Sequence, residues 1–247
     1  MPATRARVVI DDPDRHAERF ETHITVEAER LATGPRSERV ACVGVAQAPL
    51  EHAADGGPTY RPGAEPGRLA LSAFAVVSDL VARFEHDEVL GRPLRFRRRP
   101  GPLHIRALDP AETSAAYVPS AQVLCFGRHP TGALPARSFD VVCHEAGHAV
   151  FDALAPDLLV EPHPDCLAVH EAVADLCAMV AALDNRAFLD HHRLNLSNLG
   201  EAAVLARIGE NFAARIGDDD AIRDLDGVYA LPTETDDLPW AHLQPHA

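Results

Sequence analysis

The chain contains no lysine: all 23 of its basic residues are arginine, against 37 acidic residues and a formal net charge of -14. So acidic a surface excludes general polyanion binding, and no nucleic-acid partner is expected. No C-x-x-C pair occurs among the 5 cysteines, Cys42, Cys125, Cys143, Cys166 and Cys177. Their odd number and scatter argue against a disulfide framework and for a reducing compartment. The opening MPATRARVVIDDPD offers no apolar run of signal-peptide length, and no stretch of about 18 consecutive apolar residues follows. A cytoplasmic protein without a membrane partner is the expectation. No glycine loop of phosphate-cradling form is present, and neither Ser120 nor Ser138 sits in a nucleophile elbow.

What is present divides the chain in two. Residues 6–10 (ARVVI), 22–28 (THITVEA) and 39–46 (RVACVGVA) are short β-branched runs that predict strands. Residues 50–68 concentrate glycine and proline and predict an irregular loop. Apolar residues at near-helical period over 69–91 predict a long buried helix stopped by Gly91. Strands are expected again in LRFRRR (94–99), PLHIRAL (102–108) and AQVLCFG (121–127). Further on, helical periodicity marks 138–155, with Ser138 as N-cap and Pro156 as stop, then 166–183 and 199–216. The expected fold class is α+β, with a strand-rich lobe over 1–137 and a helical lobe over 138–247 enclosing a cleft.

Within the first of the later helices, VVCHEAGHAV carries H-E-x-x-H at His144, Glu145 and His148. Residues four apart share one helix face, so both imidazoles can reach a single ion. With 14 histidines in the chain, the motif alone has a composition-driven alternative, a structural histidine pair. The next helix, however, carries Glu171 and Asp175, also four apart and set among apolar residues. Two carboxylates buried there need neutralising, and a metal with its histidines would do it. A Cys/His site using Cys143, Cys166 or Cys177 is the competing arrangement, although helical phase puts Cys143 on the apolar stripe.

The pair of motifs resembles the gluzincin zinc metallopeptidases, the thermolysin-like and fungalysin-like branches in particular, whose pattern is H-E-x-x-H on one helix and E-x-x-x-D on the next. HEAGH and EAVAD match it with 22 residues between His148 and Glu171, and Asp152 resembles a carboxylate that follows the second histidine in that family. The resemblance covers about residues 70–185 and includes AYVPSAQVLCFG as the family's edge strand ahead of the active-site helix. It implies a zincin-like fold and Zn²⁺ held by His144, His148 and Glu171. It further implies Glu145 as general base for a zinc-activated water, Asp175 orienting a ligand histidine, and a peptide or protein substrate. A C-terminal electrophile would come from His191, His192, Tyr229, His242 or His246, with His246 in the closing WAHLQPHA the one preferred. Two departures stand out: His170 replaces the family's asparagine before the glutamate ligand, and no tyrosine lies between the two helices. A metal-binding protein of peptidase fold without proteolysis is the alternative function. A structural zinc site closed by Cys166 or His170 is a third reading.

Overall fold

The computed structural model describes residues 34–44, 65–96, 100–159, 163–191 and 193, together with the backbone of short strand segments elsewhere. It is a mixed α+β structure, as expected. β1 (Ala3–Ile10) and β2 (Phe20–Glu27) pair antiparallel along their whole length, where the β-branched runs predicted strands. β3 (Val40–Cys42) is followed by the two-residue strands β4 (Glu51–His52) and β5 (Pro58–Thr59), which pair with each other inside the expected loop.

The central sheet has the order β3-β6-β8-β7, where β6 is Leu103–Arg106, β7 is Ala115–Val118 and β8 is Val123–Phe126. β3, β6 and β8 run parallel, and β7 returns antiparallel on the edge beside β8. Parallel neighbours need a crossover, and between β3 and β6 it is the 21-residue helix α1 (Glu65–Glu85). The stretch AYVPSAQVLCFG is thus two strands, turned at 119–122 with Gln122 in the left-handed region at φ 54°.

α1 ends six residues before Gly91, at Glu85. The Glu85 carboxylate accepts from Arg39 Nε at 2.9 Å and from the Leu94 amide at 2.9 Å, which fixes where the chain turns back. Asp87 and Glu88 just beyond would also oppose the helix dipole at a C-terminus. The same contacts explain why Leu94–Phe96, predicted as strand, lies outside every ladder. The Leu94 amide bonds Glu85 and its carbonyl accepts from the Arg39 guanidinium, so its backbone hydrogen bonds go to side chains.

Beyond β8 a short turn of 3-10 helix, Pro135–Arg137, leads to α2 (Phe139–Leu154), α3 (Pro156–Leu159), α4 (Pro164–Leu183) and α5 (Arg186–His191). Ser138 stands at the N-cap of α2, but its hydroxyl donates to Asp140 and makes no side-chain bond to the cap amides. His163 caps α4, its Nδ1 accepting from the Asp165 amide at 3.3 Å, with Pro164 in the first turn. The helix expected over 199–216 is corrected at Arg207–Ile208, which form β9 paired antiparallel with β10 (Arg223–Asp224).

α4 is the one described helix that approaches membrane-spanning character, although His170, Glu171 and Asp175 leave it no run of about 18 consecutive apolar residues. By length and composition it qualifies, with a mean hydropathy of 1.8, yet 44% of that window is buried within the protein, where it packs on α2. Its outward face leaves Val169, Leu176 and Val180 exposed.

One apolar core joins these layers. α1 supplies Phe74, Val77, Leu80 and Val81, the sheet supplies Leu103, Ile105, Leu124 and Phe126, and α2 supplies Val142, Ala146, Ala149 and Val150. α2 is buried on nearly every side, including Glu145, His148 and Asp152. It therefore forms the floor between the sheet and α4.

Candidate metal centre

Gly147 and Ala174 set the distance between α2 and α4. A Cβ on Gly147 would lie 2.7 Å from Ala174 Cα and 3.1 Å from Cys177 Cβ, so the two helices touch backbone to backbone at this point. His144 and His148 stand three residues before and one after Gly147; Glu171 and Asp175 stand three before and one after Ala174. The contact therefore places two histidines against two carboxylates.

The three residues His144, His148 and Glu171 each turn one donor atom into a common point, all within 4.8 Å of one another. His144 Nε2 lies 3.1 Å from His148 Nε2 and 3.5 Å from Glu171 Oε2, and His148 Nε2 lies 3.7 Å from Glu171 Oε1. A tetrahedral centre with donors at about 2.0–2.2 Å has donor-to-donor edges of about 3.3–3.6 Å; the two histidine nitrogens are a little closer than this, and each faces a different oxygen of the Glu171 carboxylate. The nitrogen and oxygen donor set is likewise one that divalent zinc accepts. The residues present fit such an ion.

The far side of each ring is held as well. His144 Nδ1 lies 2.7 Å from Asp175 Oδ1, so its Nδ1–H donates to the carboxylate and Nε2 is turned inward. His148 Nδ1 lies 3.3 Å from His170 Nδ1, with the two rings 5.0 Å apart and edge to face. Burial disfavours a charged His144, but hydrogen bonds to Asp175 and Glu171 and the charges of Glu145 and Asp175 outweigh it, and its pKa is pushed up to about 9. The space between the helices thus favours a positive charge.

Glu145 is buried on α2 and contributes to the field at His144. Asp152, one turn beyond His148 and 1% exposed, accepts a hydrogen bond from Tyr117 Oη at 2.7 Å. This bond ties the edge strand β7 to the histidine-bearing helix. The sequence reading did not single out Tyr117 or Gly147. The only signal for Gly147 was a small residue beside the second histidine.

The cysteine arrangement finds no support. Cys143 and Cys177 are buried, and burial pushes both thiols up, Cys177 to about 12, so neither offers a thiolate at neutral pH. His170 stands on the Nδ1 side of His148, away from the common point, and Cys166 does not belong to the convergent group among the described residues. Of the candidates for the C-terminal electrophile, His191 closes α5, while His192, Tyr229, His242 and His246 lie outside the described residues.

A scan against protein-family models gave no match, and a search of curated proteins found no relative of this chain.

Proposed function

We propose that the chain is a zinc-dependent metallopeptidase of zincin-like fold, hydrolysing peptide bonds. The observation that carries the reading is the convergence of His144, His148 and Glu171, one donor atom from each within 4.8 Å of the others, with Asp175 fixing the His144 ring from behind. His144, His148 and Glu171 would hold the ion. When bound, zinc supplies a Lewis acid that lowers the pKa of water toward neutrality and polarises a carbonyl. The Glu145 carboxylate takes the proton of the attacking water and returns it to the leaving nitrogen. Among the described residues β7 pairs with β8 alone and packs against α2 with Ala115, Ala116 and Tyr117 buried, so it anchors the edge of the sheet to the histidine-bearing helix.

The alternative, a metal-binding protein of this fold without turnover, is favoured by the low exposure of the donors, 12%, 8% and 15% for the three side chains. A buried Glu145 beside the histidines has no purpose in that reading. The test is metal content by mass spectrometry alongside hydrolysis of a quenched-peptide library, on wild type, His148→Ala, Glu171→Ala and Glu145→Gln. The expected result is about one zinc per chain in wild type and Glu145→Gln, little in the other two, and hydrolysis in wild type falling by roughly 10²–10⁴-fold in Glu145→Gln. A wild type without zinc, or Glu171→Ala with full zinc, would overturn the metal site. Zinc without hydrolysis would leave the non-proteolytic alternative.

A further inference from the structure

The two ligand histidines are held in different ways. His144 leans on a carboxylate, whereas His148 leans on another imidazole, His170, which is 5% exposed and packed at 6.4 Å between ring centroids against Phe151. We propose that His170 is a positioning residue: its Nδ1 accepts the Nδ1–H of His148 and so keeps the His148 Nε2 lone pair directed at the metal. The inference rests on the metal site proposed above.

The hydrogen count supports one arrangement. A ligating imidazole carries its hydrogen on the nitrogen that does not ligate, so His148 donates from Nδ1. The atom 3.3 Å away is His170 Nδ1, and two nitrogens cannot both donate to each other. His170 Nδ1 therefore accepts, and His170 carries its own hydrogen on Nε2. Glu171 Oε1, 3.6 Å from His170 Nδ1 and 3.7 Å from His148 Nε2, lies beyond hydrogen-bond reach of either nitrogen.

Charge explains why an imidazole serves at this position. Glu145, Glu171 and Asp175 already bring three carboxylates to a buried site for one divalent ion. A fourth anion behind His148 would be desolvated without compensation, whereas a neutral ring orients the ligand at no cost in charge. The alternation is chemically economical: one ligand histidine is made more basic by Asp175, the other is only aimed.

The test compares His170→Leu, which removes the acceptor while keeping an apolar side chain of similar reach, with His170→Asn, whose Oδ1 restores an acceptor near the place of Nδ1. Zinc affinity is read by competition with a chromophoric chelator, and thermal stability of the metal-free proteins is read beside it. The expected result is a 10- to 100-fold rise in the zinc Kd for His170→Leu, recovery to within about threefold of wild type for His170→Asn, and a metal-free Tm for His170→Leu no lower than that for His170→Asn. ¹⁵N-histidine NMR of zinc-loaded wild type should place hydrogen on His148 Nδ1 and on His170 Nε2. Zinc affinity in His170→Leu within twofold of wild type, or hydrogen on His170 Nδ1, would overturn the proposal. If wild type itself takes no zinc, the metal reading fails and this inference with it; if zinc is lost in His144→Ala but not in His170→Leu, this inference alone falls.

Discussion

The packing of α1 on the central sheet and the packing of α2 on α4 are built on opposite principles. α1 meets the sheet through large apolar side chains, Phe74, Leu80, Leu103, Ile105, Leu124 and Phe126, all 2% exposed or less. α2 meets α4 where Gly147 faces Ala174 and Cys177, and the buried polar residues on these two helices include His148, His170 and Asp175. The first interface is held by burial alone, at roughly 1.5–3 kcal/mol per large side chain. The second puts carboxylates and imidazoles out of water, where they cost free energy unless each is paired. One region therefore stabilises the fold, and the other would depend for its stability on the ion we propose it binds.

This contrast can be broken from either side. The largest effect is expected from Phe74→Ala, about 3–5 kcal/mol by urea unfolding, because a fully buried ring leaves a cavity in the sheet interface. Zinc per folded chain should not change in that variant; its loss would mean that the two regions do not act separately. Next comes withdrawal of the metal. With free zinc at about 100–1,000 times Kd, a chelator should cost about 3–4 kcal/mol. Hydrogen exchange should localise that loss to amides near Ala174 and Cys177 while those near Val77 and Val81 stay protected. Uniform loss of protection would refute the division.

The legibility of the sequence follows the same line. HEAGH and EAVAD are local patterns, since i, i+4 spacing alone puts two side chains on one helix face. β1, β2, β6 and β8 were legible for a similar reason, β-branched residues in short runs between turn signals. What was hidden depends on long-range pairing. Leu94–Phe96 reads as strand, but Arg39 and Glu85, 46 residues apart, take up the Leu94 backbone. The match of His144 to Asp175 and His148 to His170 required the two helices to touch, and nothing in either helix states the register. Tyr117 was invisible as a partner of Asp152 because 35 residues and a strand separate them.

The register itself can be shifted by one methyl group. Gly147→Ala would set a Cβ 2.7 Å from the Ala174 backbone, where no flexible side chain can yield, so α2 and α4 must separate by several tenths of an ångström. The expected cost is about 2–3 kcal/mol, accompanied by weaker zinc binding, since the donor separations of 3.1–3.7 Å have no slack to absorb a helix displacement. An equal-sized change in the sheet interface, such as Val77→Ile, should perturb stability without touching the zinc Kd. If both variants bind zinc like wild type, the glycine contact does not set the site.

The smallest effect should come from Tyr117→Phe. The substitution removes one hydroxyl and leaves the ring, so the apolar packing of β7 is kept and only the 2.7 Å bond to Asp152 is lost. A hydrogen bond to a buried carboxylate contributes about 1.5 kcal/mol, which sets the expected fall in stability. Zinc content should remain at wild-type level, because Asp152 lies one turn beyond His148 and outside the convergent donor group. Its effect on catalysis should be larger than its effect on folding stability implies, because the Tyr117–Asp152 bond fixes β7 relative to the helix that carries His144, Glu145 and His148. The diagnostic is therefore a rise in KM and a fall in kcat at unchanged zinc occupancy. A variant with wild-type kinetics but the same stability loss would show that the bond serves the fold alone, and that the edge strand keeps its place on α2 by packing.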